Sequence, residues 1–151
     1  GWSPRHSPLS VAPTRPPGPG TMERVNGPPR RSQLGRAARL AVVLDRDGAH
    51  CLWCGRGFTP LIRPTTDHLV PRVKGGPSWL ENEVAACSRC NNDRGHRTPV
   101  DWLAECERRG WQPDRTKVGE ALLRFRAAID ERGGQRRAAS YLDRQLRRWP
   151  A

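Results

Sequence analysis

The sequence predicts an α+β fold, mostly helical, in which a short two-stranded element lies between two cysteine pairs and helices flank it on both sides. Three observations carry this expectation. Cys51 and Cys54, then Cys87 and Cys90, make two C-x-x-C pairs. Between them, residues 65–70 and 82–86 form short runs of strand character, separated by a Gly- and Pro-bearing loop. Before and after the pairs, apolar residues recur at the spacing of a helix. With 151 residues, 35% of them hydrophobic, and 15 Pro beside 15 Gly, the chain has room for one ordinary domain and a modest apolar core. A core of that size calls for a staple.

The elements follow in order. Residues 1–31 are rich in Pro and Arg and are expected to be disordered, because they cannot bury enough apolar surface to offset ordering entropy. The chain's single methionine is Met22 and position 1 is glycine, which suggests translation starting at Met22. Over 32–45, Leu34, Ala37, Ala38, Ala41 and Leu44 give a helical period, with Ser32 as N-cap and Gly48 as stop. The first cysteine pair follows on a tight turn that Gly55 and Gly57 permit. A strand over 65–70 ends at Pro71, residues 74–77 turn, and a second, antiparallel strand covers 82–86. A short helix is expected over 88–94, ended by Gly95. The next opens at Thr98-Pro99 and runs to Arg109, with Gly110 just past it. Asp114 caps a longer helix striped by Val118, Ala121, Leu122, Phe125 and Ile129; Gly133-Gly134 breaks it. Ala138, Tyr141, Leu142, Leu146 and Trp149 stripe the last helix. The division expected is 1–31 as the disordered segment, 32–98 as the functional domain and 99–151 as a C-terminal helical extension.

Two thiolates separated by two residues can bind one zinc ion, with sulfurs about 2.3 Å from it, and a second pair completes a tetrahedron. Cys51, Cys54, Cys87 and Cys90 are therefore expected to hold structural Zn²⁺, since four thiolates leave no position open for water or substrate. Cys106 stands apart and reads as a packed core thiol. Metal-binding thiolates point to a reducing compartment, and hence to the cytoplasm. No stretch approaches the ~20 apolar residues that span a bilayer, so no membrane role is expected.

Between the cysteine pairs stand Thr66-Asp67-His68-Leu69-Val70-Pro71 and Glu81-Asn82-Glu83-Val84; the second pair runs into Cys90-Asn91-Asn92-Asp93-Arg94-Gly95. A plain zinc ribbon has no need of an Asp-His pair. In these residues the stretch from Cys51 to about Thr98 resembles the HNH nuclease family in its four-cysteine, zinc-bearing form. The matching positions are Asp67-His68, Asn82, Asn91 and Arg94-Gly95. Asn91 stands where many members have histidine, which makes this an H-N-N variant. The resemblance covers about a third of the chain. It implies a ββα-metal core: a hairpin carrying Asp67, His68 and Asn82, packed on a helix carrying Asn91.

The chemistry suits these side chains. Water attacks a phosphodiester in line, and charge grows on the leaving oxygen, which a divalent Mg²⁺ or Mn²⁺ neutralises when oxygen ligands hold it with positions left open. Asp67 offers a carboxylate and Asn91 an amide oxygen. His68, with an ordinary pKa near 6.5, can be neutral and take the proton of the attacking water. Successive strand residues face opposite ways, so Asp67 and His68 can meet at one ion only if the backbone twists or bulges; the resemblance implies that distortion. It also implies that Asn82 pins the hairpin loop through backbone hydrogen bonds and orients His68 without reacting itself.

The net charge of +12 favours polyanionic partners. Only Lys74 and Lys117 are lysines; the arginine excess suits phosphate recognition but equally follows from a GC-rich genome. Arg72, Lys74, Arg94 and Arg97 cluster around the expected site in sequence and are expected on DNA phosphates, double-stranded DNA being the expected partner. His96 could touch phosphate, and His50 reads as a surface residue. Trp79 and Trp102 are expected to pack. The residues leave open two alternatives, a non-catalytic zinc-ribbon nucleic-acid-binding protein and an accessory module for a protein partner.

Overall fold

The computed structural model describes residues 34–150 and, nearer the N-terminus, residues 1, 3, 4, 10 and 12–14. The expected disordered segment therefore falls almost wholly outside the described residues, as do Met22 and Ser32. In order, the elements are α1 (Arg36–Asp47), β1 (Pro64–His68), β2 (Glu83–Cys87), α2 (Ser88–Arg94), α3 (Pro99–Arg108), α4 (Arg115–Arg132) and α5 (Arg136–Arg148). Single 3-10 turns at Arg72–Lys74 and Leu80–Asn82 punctuate the loop between the strands. The architecture is α+β, with one antiparallel pair among helices.

Three caps are those the sequence names. Thr98 accepts from the Asp101 amide at 3.2 Å and Asp114 from the Lys117 amide at 3.1 Å, each satisfying a donor that the helix itself leaves unpaired. Gly48 ends α1 at φ 92°, a conformation that costs glycine little. Gly35, not Ser32, stands at the N-cap of α1. The strands are shifted and shortened: β1 stops at His68 instead of running on to Val70, and β2 opens at Glu83 instead of Asn82.

One expectation fails on α1. Its alanines at 37, 38 and 41 are exposed, and the buried positions are Arg39, Val43 and Asp47, spaced four apart. The reason is polar. β2 has β1 on one side only, so its other edge presents unpaired backbone groups. Asp47 Oδ2 accepts from the Ala85 amide at 3.0 Å, Arg46 donates to the carbonyls of Leu80 and Glu83, and Arg39 grips the Glu83 carboxylate at 2.7 Å. The helix thus seals the sheet edge with charge around a small apolar contact of Val43 with Leu80 and Ala85.

The core is continuous from the first cysteine pair to the last helix. Leu52, Trp53, Leu69, Val70 and Val84 join Trp102, Val118, Leu122, Phe125 and Leu142 in one buried cluster. Helices α3 to α5 therefore pack directly behind the hairpin. Trp102 is fully buried and meets Trp111 edge-on; Trp79 meets Phe125 likewise. Cys106 is buried among them, and burial pushes its thiol up to about 12, as befits an inert core group.

Candidate active site

The cysteines converge. Cys51 and Cys54 lie on the turn after α1, closed by the Gly55 amide donating to the Cys51 carbonyl at 2.9 Å. Gly55 is left-handed at φ 80°, and a Cβ there would lie 2.6 Å from the Gln112 carbonyl oxygen. Cys87 ends β2, and Cys90 falls in the first turn of α2, whose N-cap is the Cys87 sulfur. All four Sγ atoms lie within 4.8 Å of one another, and Cys54 and Cys87 are 3.9 Å apart. A tetrahedron with zinc–sulfur bonds of 2.3 Å has edges of about 3.8 Å, so the set fits zinc. Arg56 leans over it, donating to Cys54 Sγ at 3.4 Å and Cys87 Sγ at 3.6 Å. A hollow of about 690 Å³ behind this turn is lined by His50 and Asp114, which pair at 3.2 Å. It contains none of the nuclease-type residues.

Those residues meet at the other end of the hairpin. A cavity of about 380 Å³ is lined by Asp67, His68, Asn91, Arg72 and His96 among others. The pairing of β1 with β2 runs one to one through Asp67↔Val84 and His68↔Glu83, so of the expected twist or bulge a bulge is excluded. His68 is the last residue of β1, and both residues line the cavity at that end. Asp67 is buried, and both its hydrogen bonds fall on Oδ2, from Trp53 Nε1 at 2.8 Å and Arg94 at 2.9 Å. Its other oxygen takes no hydrogen bond, and the residue lines the cavity. Asn91 spends its amide protons on Thr65 Oγ1 and the Thr66 carbonyl, both at 3.2 Å. Its carbonyl oxygen takes no hydrogen bond. Each residue so keeps one oxygen free of hydrogen bonds, an atom type that hard divalent cations take.

His68 stands between this cavity and a second of about 400 Å³, which Arg36, Arg39, Thr66, Arg72, Ser78, Glu83 and Asn91 also line. Its Nε2 lies 3.6 Å from a Glu83 oxygen. Burial pushes the imidazole below its ordinary pKa, against the pull of Glu83 and Asp67 toward the charged form. The neutral ring is the form that accepts a proton.

Asn82 is fully buried and binds the loop, not the cavity. Its Oδ1 accepts from the Val70 amide at 2.8 Å, and its Nδ2 donates to the carbonyls of Val70 at 3.0 Å and Pro77 at 2.9 Å. Gly76 sits so close that a Cβ would fall 1.8 Å from the Val70 carbonyl oxygen. Replacing Asn82 with Ala leaves two buried backbone groups of Val70 and the half-buried Pro77 carbonyl without this partner, and is expected to cost about 2–4 kcal/mol. The measurement is thermal melting, with a fall of several degrees expected.

Arg94 corrects an expectation. Instead of reaching phosphate, it is 1% exposed, and its donors are taken by Asp67, the carbonyls of His68 and Leu69 and, at 3.1 Å, that of Arg97. Its guanidinium lies over Trp53, 5.3 Å from the ring centre. It is the internal brace of the site. Arg72 and Arg97 are exposed, Arg72 on both cavities and Arg97 over Trp102. Lys74 lines a different cleft. Sequence reasoning missed Trp53, Arg39 and Glu83; only the placing of Glu83 directly after Asn82, opposite His68, could have signalled one of them.

Residues 51–103 match the HNH endonuclease family. The CRISPR-associated endonuclease Cas9 of Corynebacterium diphtheriae is 31% identical over 110 residues, covering 72% of this chain and 9% of that protein. The crystal structure of the Type II-C Cas9 enzyme from Actinomyces naeslundii aligns with a TM-score of 0.43 at 24% identity, covering 74% of this chain and 11% of that one. The chain thus spans about a tenth of the length of each. With their four-cysteine cluster, residues 51–103 of this chain are a domain of the HNH endonuclease family.

Proposed function

We propose that this chain is a metal-dependent endonuclease that hydrolyses phosphodiester bonds in double-stranded DNA. His68 is its general base, and Asp67 and Asn91 hold one divalent ion, Mg²⁺ or Mn²⁺. The observation that carries this reading is the cavity that gathers Asp67, His68 and Asn91, with one oxygen of each ligand residue free of hydrogen bonds. When bound, such an ion supplies positive charge to the phosphate and to the leaving oxygen.

The protein's own residues do the rest. Neutral His68 takes a proton from water, the resulting hydroxide oxygen bonds to phosphorus, and the bond to the leaving sugar oxygen breaks. Arg94 donates to Asp67 Oδ2 and to the carbonyls of His68 and Leu69, fixing the carboxylate and the chain at the strand end together. Asn82 holds the loop that follows His68. Arg72 and Arg97 contact backbone phosphates. Zn²⁺ in the four cysteines is structural, and the catalytic unit is 32–98 with 99–151 as its helical extension. Among the described residues no helix is long and apolar enough to cross a membrane, and the reducing chemistry of the cysteines suits the cytoplasm.

The test is cleavage of supercoiled plasmid by zinc-loaded protein. Nicked or linear product is expected with Mg²⁺ or Mn²⁺ and none without a divalent ion. DNA binding with no cutting under any divalent ion would make the chain a binding module and sink the nuclease reading.

A further inference from the structure

The HNH match ends at residue 103, yet α5 lies against the loop that leaves the active site. Arg137 donates to the Val73 carbonyl at 3.0 Å. Gly75 approaches so closely that a Cβ there would lie 2.8 Å from the Arg137 Cβ. This contact closes a cleft of about 310 Å³ lined by Lys74, Arg136, Arg137, Ser140, Tyr141 and Arg144. Four of the six residues are cationic and none is acidic.

The other arginines of the C-terminal helices are mostly paired. Arg126 binds Asp130 and Asp143, Arg148 binds Asp101, Arg109 binds Asp93 and Glu105, and Arg132 binds Glu81. Among the described residues Lys74, Arg136, Arg137 and Arg144 have no acidic partner. The cleft therefore gathers four cations with no acidic side chain in its lining, a charge that a bound anion complements. Its lining offers no exposed tryptophan on which a base could stack, and its donors suit phosphate oxygens.

We infer that this cleft is a second anchor for the DNA backbone, with Lys74, Arg136 and Arg144 each taking a phosphate, a few nucleotides from the one cut at His68. The inference rests on the reading that DNA is the substrate. The spacing comes from the 3-10 turn Arg72–Lys74: Arg72 lines the His68 cavity and Lys74, two residues on, lines the cleft. Contacts of this kind position the duplex without reading its sequence. The helical extension thereby sets the path of the strand through the active site.

The experiment is the salt dependence of affinity for a short duplex without added divalent ion, using full-length zinc-loaded protein. Counterion release gives a slope of about −0.9 per phosphate contacted. The variant K74Q/R136Q/R144Q is expected to flatten the slope by about 2.7 and to weaken binding at least tenfold at 0.1 M salt. These three residues are exposed, so its thermal melting should match wild type. The variant R108Q/R115Q/R126Q removes the same charge from arginines that already have acidic partners, and its slope should change by less than about 1. Equal slopes in the two variants, or no duplex binding by wild type, would overturn the anchor. Failure to cut plasmid with the slope difference intact would sink the nuclease and leave the anchor standing. Cutting with an unaltered slope would do the reverse.

Discussion

Cys87→Ser is expected to abolish the cooperative melting transition of the domain and to release the zinc. The residue serves three structures at once. It is one of four sulfurs within 4.8 Å of one another, it ends β2, and its sulfur caps α2 by accepting from the Cys90 amide at 3.5 Å. Structural zinc sites contribute about 10–16 kcal/mol of binding energy that is also folding energy. A domain's whole stability is only about 5–15 kcal/mol, so weakening the tetrahedron consumes most of it. Cys51, Cys54, Cys87 and Cys90 belong to the same buried cluster as Trp102 and Phe125. Loss of the metal therefore reaches the helices rather than fraying a remote loop. Calorimetry with zinc quantification checks this: an unchanged transition at full occupancy would remove the structural role. Cys106→Ser offers the contrast, a local packing loss with zinc retained.

Those cysteines were legible in the sequence because ligand spacing is a short-range property. So were α2 to α5, whose caps and apolar stripes lie within a few turns of one another. The site was half legible. Asp67, His68 and Asn91 announce themselves by order along the chain, and the structure brings them to one cavity. Arg94 was misread because residue type suggests exposure, whereas burial depends on whether every donor finds an acceptor. Asp67 and the carbonyls of His68 and Leu69, 25 to 27 residues away, supply them. The docking of α1 was hidden for the same reason. Alanines at helical spacing suggested an apolar face, but Arg39 finds Glu83 at a separation of 44 residues and Asp47 finds the Ala85 amide at 38. Periodicity cannot show a partner so distant. The strand limits slipped because the 3-10 turn at Leu80–Asn82 takes Asn82 out of β2, to bind the loop from its own short helix.

His68→Ala is expected to lower the cleavage rate by about 10²–10⁴-fold, the usual worth of a positioned general base. DNA affinity and thermal melting should stay at wild-type values. The second half of this expectation follows from geometry. The His68 side chain is 35% exposed and carries no hydrogen bond shorter than its 3.6 Å approach to Glu83, so its removal orphans no buried group. The brace of the strand end survives, because Arg94 grips the backbone carbonyl of His68 and not its ring. The missing ring also enlarges a cavity of about 400 Å³ that opens to solvent beside Ser78 and Arg72. Imidazole added to the assay can occupy that space and is expected to restore part of the rate in the variant, with no effect on wild type. A base that has been removed can be replaced from solution in this way, whereas a distorted site cannot. If the variant cuts at the wild-type rate, the proton goes elsewhere and His68 loses its role. Should it lose activity together with its melting transition, the ring is structural, and imidazole will restore nothing.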